Sequence, residues 1–298
     1  MSIQRYNLSK RHDDLMQLAK KGIRENIAMA LKEDLGGQIN VNNDITANLL
    51  PKDKNAYAHI ITHETGIFCG KDWVEAIFDQ LNQSVNLVWH IKDGQKMIPE
   101  QLLVEIEGSA RTIVTSERTI LNFIQLLSGV STKVNYYVAL LNNTNAKLLD
   151  TRKTLPGLRT ALKYAVICGG GNNHRIGLSD AFLIKENHII AIGSIQKAVK
   201  SASLAFPDYP IEVEVETIEE LIQAINAGVD IVMLDNFNLK LISEAVKINK
   251  GRVILEVSGN INESLITNIA RTGIDYISVG DITKNIRAID ISMRLKLK

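Results

Sequence analysis

The 298-residue chain carries 34 basic and 33 acidic residues, a formal net charge of +1, so it has no global field to hold a nucleic-acid backbone or an anionic membrane. Hydrophobic residues make up 45% and charged residues 22%, with only five prolines, which excludes a disordered or collagen-like chain and predicts a packed core. No apolar run approaches the roughly 18 residues of a membrane span, and the opening "MSIQRYNLSKRHDD" lacks a secretory signal, so the expectation is a soluble, reducing, cytoplasmic protein.

Helical patterns run to about Leu35, followed by strand-like runs in "NAYAHIITHETGIFCG", "VNLVWHIKDG" and "QLLVEIEGSA", broken by turn signals such as Asp93-Gly94. Residues 1–116 read as an α+β domain. A helical stretch from Ser116 to about Asn142 leads into a second domain, 117–287. Cys69 and Cys168 lie far apart in sequence, match neither a CxxC nor a zinc spacing, and read as buried thiols.

The second domain alternates short apolar runs with amphipathic helical patterns. The runs are Ala146–Thr151, Ala181–Glu186, Ile211–Glu216, Asp230–Asn236, Arg252–Gly259 and Asp275–Asp281, each short and rich in β-branched residues. Thr217 to Glu220 reads as a capping box, and Gly228, Gly251 and Gly273 mark helix-to-strand junctions at a spacing of 22 or 23 residues. Such a repeat is the signature of consecutive parallel βα units. The closing "AIDISMRLKLK", residues 288–298, is strand-like and could return to the first domain.

Polar residues gather at the carboxyl ends of these strands: Asp150 with Arg152 and Lys153, then Lys185, Glu214 with Glu216, Asp235, Glu256 with Ser258, and Asp281. Six strand ends meeting at one mouth describe a TIM-like α/β barrel, incomplete because only six strands are evident. In "EVEVE", Glu212, Glu214 and Glu216 share one face and the valines the other, which suits a polar lumen; a charged outer face on an edge strand is the alternative.

The segments "DTRKTLPGLR" and "GGGNNHRIGL" bring Arg152, Lys153, Arg159, His174 and Arg175 into one short region. Arginine forks suit carboxylates and phosphates, and lysine offers a point charge. Cations opposite Glu214 and Asp235 suit a polyanionic substrate that brings a divalent cation, for which magnesium with phosphate oxygens is the natural choice. "VSGN" and "SVGD" place Gly259 and Gly280 at the last two strand ends, where backbone N–H groups can approach a phosphate. Arg159, beyond Pro156-Gly157, reads equally well as a helix-surface residue and is left outside the site, and His188 reads at least as well as structural.

"DTRKTLPGLR", "KYAVICGGGNNHRIGLSDAFLIKENHI", "EVEVET", "MLDNF" and "SVG", in this order and with "SERTILNFIQLLSGVST" ahead of them, resemble the quinolinate phosphoribosyltransferase family over the full chain. The resemblance implies that quinolinate and phosphoribosyl pyrophosphate give nicotinate mononucleotide, pyrophosphate and carbon dioxide, with magnesium required. It implies that Arg152, His174 and Arg175 hold the quinolinate carboxylates, beside Thr151 and with Arg118 reaching the neighbouring site of a homodimer, itself possible as part of a hexamer. Lys153 and Lys185 would contact the anionic substrates, and Glu214 and Asp235 the ribose and metal. Ser258, Gly259 and Asn260, with Val279, Gly280 and Asp281, would hold the 5′-phosphate.

One segment departs from the family. Where members often carry Thr-His-Ser, this chain reads Thr283-Lys284-Asn285, which puts side-chain contacts from that loop in doubt. Rival readings are a phosphoribosyltransferase with another acceptor, a Schiff-base aldolase using Lys185, and a non-catalytic barrel that binds a phosphorylated ligand.

Overall fold

The computed structural model describes residues 7–259 and 261–297. The chain divides into two compact units, each gathered from separate stretches: Asp14–Asn135 with Thr154–Gly170 and Ile282–Lys298, and Met1–Asp13 with Tyr136–Lys153 and Gly171–Asp281. The chain opens with helix α1 (Leu8–Asp34), then β1 (Asn55–Thr62), β2 (Gly66–Ile67), α2 (Lys71–Gln80), β3 (Asn86–Trp89), β4 (Lys96–Met97), β5 (Leu102–Ser109) and α3 (Ala110–Leu140). Ser116, where sequence suggested a division, lies inside α3, which starts directly after β5.

Period-2 patterning builds the sheet of the first-named unit. In β1 the side chains of Ala56, Ala58, Ile60 and Thr62 are buried while those between them are more exposed. β5 pairs antiparallel with both β1 and β3. The Asp93-Gly94 turn lies between β3 and β4, with Gly94 at φ 83°, a left-handed conformation that glycine adopts without strain.

The rest of the chain forms β6 (Lys147–Leu149), α4 (Arg159–Cys168), β7 (Phe182–Ile184), α5 (Glu186–Ile192), α6 (Ile195–Ala205), β8 (Ile211–Val215), α7 (Ile218–Ala227), β9 (Ile231–Asp235), α8 (Leu239–Asn249), β10 (Ile254–Ser258), α9 (Glu263–Ala270) and β11 (Tyr276–Ser278). The six strands pair in parallel in the order β6-β11-β10-β9-β8-β7. β6 and β7, consecutive along the chain, are the two edges, so the barrel stays open at that seam. An isolated bridge from Leu149 to Asn172 occupies the β6 edge.

Local chemistry sets the junctions. Thr217 Oγ1 accepts from the Glu220 N–H (3.2 Å), while the Glu220 carboxylate reaches back to the Glu216 N–H (2.8 Å), one residue earlier than a standard capping box. Gly228 closes α7 in the left-handed region (φ 80°).

β12 (Ile291–Leu297) ends the chain and pairs antiparallel with β1, from Thr62–Ile291 to Ala56–Leu297. Among the described residues, no helix is long and apolar enough to cross a membrane.

Candidate active site

The carboxyl ends of the six strands open into a cleft of about 400 Å³, a size suited to small-molecule substrates. Thr151, Arg152 and Lys153 enter it from the end of β6, Lys185 from β7, Glu214 from β8, Asp235 from β9, Ser258 from β10 and Ser278 from β11. His174 and Arg175 join from the segment that follows the Asn172 bridge. Four fixed cations, Arg152, Lys153, Arg175 and Lys185, thus share one cleft with two carboxylates, Glu214 and Asp235.

The β6 turn and the 172–180 segment are held by side chains that do not reach the cleft. Asp150, fully buried, accepts from the His174 N–H (2.9 Å) and from Asn173 Nδ2 (2.6 Å). Asp180 accepts from the N–H groups of Ile176 (2.8 Å) and Gly177 (2.9 Å), closing the turn beyond Arg175. Arg175 is 8% exposed and donates to the Ala181 carbonyl (3.3 Å). Burial, then the neighbouring Arg152 guanidinium, lowers its pKa, while Glu212 and Asp180 oppose the shift. Arg152 Nε is buried with no hydrogen-bond partner among the described residues. A buried donor left in this way is costly, and an incoming carboxylate or phosphate would satisfy it.

The acidic side is equally specific. Glu214 is half-buried and ion-paired with Lys185 Nζ. Asp235 Oδ2 accepts from Asn236 Nδ2 (2.9 Å), and Asn236 is left-handed at φ 55°. Gly259 lies against that turn: a Cβ there would stand 2.2 Å from Asn236 Oδ1. The Asn236 N–H also donates to the Ser258 carbonyl (3.0 Å), so the ends of β9 and β10 are braced together.

Beneath the cleft lies a carboxylate pair that the sequence reading did not assign to the site. His174 Nε2 stands 2.9 Å from Glu212 Oε2 and 3.6 Å from Glu256 Oε1. Its Nδ1 accepts from the Arg175 N–H (2.7 Å), which places the proton of a neutral ring on Nε2, toward the carboxylates. Both ring nitrogens therefore face protein groups. Glu256 is fully buried, and its pKa is pushed up to about 8 by desolvation and then by Glu212, with His174 and Ser278 pulling it back. The "EVEVE" alternation hinted at this floor, but the depth was not evident: Glu212 is 2% exposed, Glu214 half-buried and Glu216 exposed.

The remaining expected residues fall as follows. Val279 is buried and its N–H donates to the Leu149 carbonyl (3.0 Å), whereas Gly280 and Asp281 are half-buried. A Cβ at Gly280 would stand 2.7 Å from Lys153 Cδ, so only glycine leaves Lys153 its place. Asn260 lies outside the described residues. Arg118 is exposed on α3, in the unit that carries the antiparallel sheet. His188 is exposed, and its Nδ1 accepts from the Lys185 N–H (3.0 Å), a structural role at the start of α5. Arg159 begins α4 and donates to Thr154 Oγ1 (3.3 Å). In the departing segment Thr283 is fully buried, and the Asn285 carbonyl accepts from Lys133 Nζ (2.9 Å).

The chain is similar to known proteins over most of its length. Residues 130–294 match the model of the quinolinate phosphoribosyl transferase C-terminal domain, and residues 44–128 that of its N-terminal domain. The chain is 38% identical over 266 residues to the probable nicotinate-nucleotide pyrophosphorylase [carboxylating] of Bacillus subtilis, covering 89% of this chain and 90% of that one. It is 35% identical to the corresponding protein of Mycobacterium leprae, covering 91% of this chain and 96% of the relative. The solved nicotinate-nucleotide pyrophosphorylase of Francisella tularensis superposes with a TM-score of 0.87 at 48% identity, covering 93% of this chain and 96% of that one.

Proposed function

The chain belongs to the quinolinate phosphoribosyltransferase family, and from that premise we propose how its own side chains carry the decarboxylating transfer. The enzyme joins quinolinate to phosphoribosyl pyrophosphate and yields nicotinate mononucleotide, pyrophosphate and carbon dioxide, a step of NAD biosynthesis. The observation that carries the residue assignment is the cleft itself, where the orphaned Arg152 Nε and the buried Arg175 share a wall, with Glu214 and Asp235 in the same lining.

Arg152 and Arg175 bind the two ring carboxylates, whose bidentate geometry fits guanidinium forks. His174, with its nitrogens committed to Arg175 and Glu212, holds this wall in place from below. Lys153 and Lys185 neutralise the pyrophosphate. Ser258, Gly259, Gly280 and Asp281 enclose the 5′-phosphate, with Val279 anchoring that turn through its N–H bond to the Leu149 carbonyl.

Glu214 and Asp235 are hard oxygen donors of the kind magnesium takes together with phosphate oxygens; they would hold it, and it would supply positive charge to offset that on departing pyrophosphate. The same two carboxylates stabilise oxocarbenium character at the ribose C1, while the arginines keep the pyridine nitrogen in line for attack. Once the nitrogen is quaternary, the C2 carboxylate leaves as carbon dioxide, its bonding electrons stay beside the positive nitrogen, and C2 takes up a proton. The Schiff-base alternative is disfavoured because Lys185 is tied to Glu214 rather than standing in a dry apolar pocket.

We read the active form as a cytoplasmic homodimer in which Arg118 completes the partner's site. Support for an association surface comes from an apolar groove on the barrel unit lined by Leu178, Phe182, Phe206 and Tyr209, of which Leu178 is 73% and Phe206 54% exposed.

The test is carbon dioxide release from carboxyl-labelled quinolinate with phosphoribosyl pyrophosphate and magnesium, run beside unlabelled nicotinate. Release that requires all three additions is the expected result. Product from nicotinate alone would mean a different acceptor, and no product from either would overturn the assignment.

A further inference from the structure

The fold brings together two cysteines that are 99 positions apart, 69 and 168, both in the unit that carries the antiparallel sheet. The Cys69 and Cys168 sulfurs and a carboxylate oxygen of Asp93 all lie within 4.8 Å of one another. Cys69, just after β2, is completely buried, whereas Cys168, the last residue of α4, is half-buried rather than enclosed as expected. Both are free thiols.

A metal would be one use for such a group, but Asp93 is already committed. Its Oδ1 accepts from the N–H groups of Gly70 (3.0 Å) and Lys71 (3.1 Å) at the start of α2, and its Oδ2 accepts from the Tyr164 hydroxyl (2.7 Å). Two thiols remain, short of the three or four protein ligands that zinc takes. Burial also pushes the Cys69 thiol up, and Cys168 and then Asp93 add to that, so Cys69 rests as a neutral thiol.

We propose that Cys69 and Cys168 form a reversible disulfide, an oxidation site separate from the substrate cleft, with Cys168 as the thiol oxidised first and Cys69 as the resolving one. A hydroperoxide is the oxidant. The Cys168 thiolate attacks the peroxide oxygen, giving a sulfenic acid and, for hydrogen peroxide, one water after proton transfer. Cys69 then displaces the hydroxyl from sulfur, forming the S–S bond and releasing a second water, so two thiols are oxidised and one peroxide is reduced. Dithiol exchange reverses the bond.

The position of Cys168 gives oxidation a consequence. The chain runs from Cys168 through Gly169, Gly170 and Gly171 to His174 and Arg175. Gly169 is closely packed, since a Cβ there would stand 2.5 Å from the Ser131 carbonyl oxygen and 2.6 Å from Val134 Cβ. Drawing Cys168 toward Cys69 pulls on a chain that reaches the Asn172 bridge four residues later, and it is by this connection that the bond would disturb the segment bearing Arg175. This consequence rests on the proposed role of Arg175, whereas formation of the bond does not.

The test uses the full-length protein, treated with hydrogen peroxide under native conditions, quenched, unfolded and reacted with a maleimide. The expected result is parallel loss of both thiols, a mass lower by two hydrogens, one intramolecular cross-linked peptide pair, and recovery with dithiothreitol. Cys168→Ala should keep the Cys69 thiol unreacted at the same peroxide dose, and Cys69→Ala should carry Cys168 on to sulfenic and higher acids. Oxidation of Cys168 with Cys69 still free in the wild type, or cross-links between chains only, would overturn the proposal. In the oxidised wild type the KM for quinolinate should rise several-fold and return on reduction; a complete disulfide with unchanged kinetics would overturn the coupling to the Arg175 segment.

Discussion

Glu256→Gln isolates the electrostatics of the barrel floor. In the folded protein the Glu256 carboxyl ionises only near about 8, against 4.5 for its ordinary value, because it is desolvated and faces Glu212. Between those pH values the folded state holds one proton more than the unfolded state, so stability falls as pH rises, by about 1.4 kcal/mol per unit in the middle of the window. The stability present below about pH 4.5 is thus lost as pH climbs through 8, with a decline of about 3 kcal/mol between pH 5 and 7.5. Glutamine keeps the shape and is permanently neutral, so its variant should lack this decline. The assay is urea unfolding of both proteins at a series of pH values in that range. Adding Glu212→Gln to the wild type should end the decline at a lower pH and make it smaller, because the like charge that helps raise the Glu256 pKa is gone. Wild-type and Glu256→Gln curves that stay parallel from pH 5 to 8 would refute the reasoning, since they would mean that Glu256 titrates alike in both states.

Three further outcomes test the mouth of the barrel. Gly280→Ala places a methyl group where Lys153 Cδ now lies 2.7 Å from the Cβ position, and should lower kcat about ten- to hundredfold while leaving the urea midpoint little changed. Gly259→Ala demands φ 96° of an alanine and drives its Cβ into Asn236, so a stability loss of about 1–3 kcal/mol should accompany the loss of activity. Arg118→Ala subunits mixed with Lys153→Ala subunits should regain part of the wild-type activity that neither has alone; no regain would count against a site shared between subunits.

The strand pattern, the helix ends and the ring of polar residues at the strand ends were legible because they follow from local periodicity and turn chemistry. All six apolar runs became strands of one parallel sheet, and every cation singled out there except Arg118 and Arg159 lines the cleft. What local pattern could not show was how segments meet. The approach of Cys69 to Cys168 depends on two elements about a hundred positions apart, and neither neighbourhood carries a spacing that announces it. The start of α3 was missed by six residues because "QLLVEIEGSA" reads as a strand to its end, and only the end of β5 at Ser109 fixes the boundary.

Depth in the barrel explains the other omission. Glu214 and Glu256 both pair across to Met233, so hydrogen-bond register alone would put them at one level. Strands in a barrel are tilted and staggered, however, so equal register does not mean equal distance from the mouth. Glu256 ends up fully buried near Glu212 and His174, whereas Glu214 lines the cleft with Lys185. Three identical residues in "EVEVE" consequently do different work: Glu212 fixes the His174 ring, Glu214 balances the cationic cleft, and Glu216 lends its backbone N–H to the cap of α7. The alternation specifies which face they share, and the tilt of the sheet decides what each one meets.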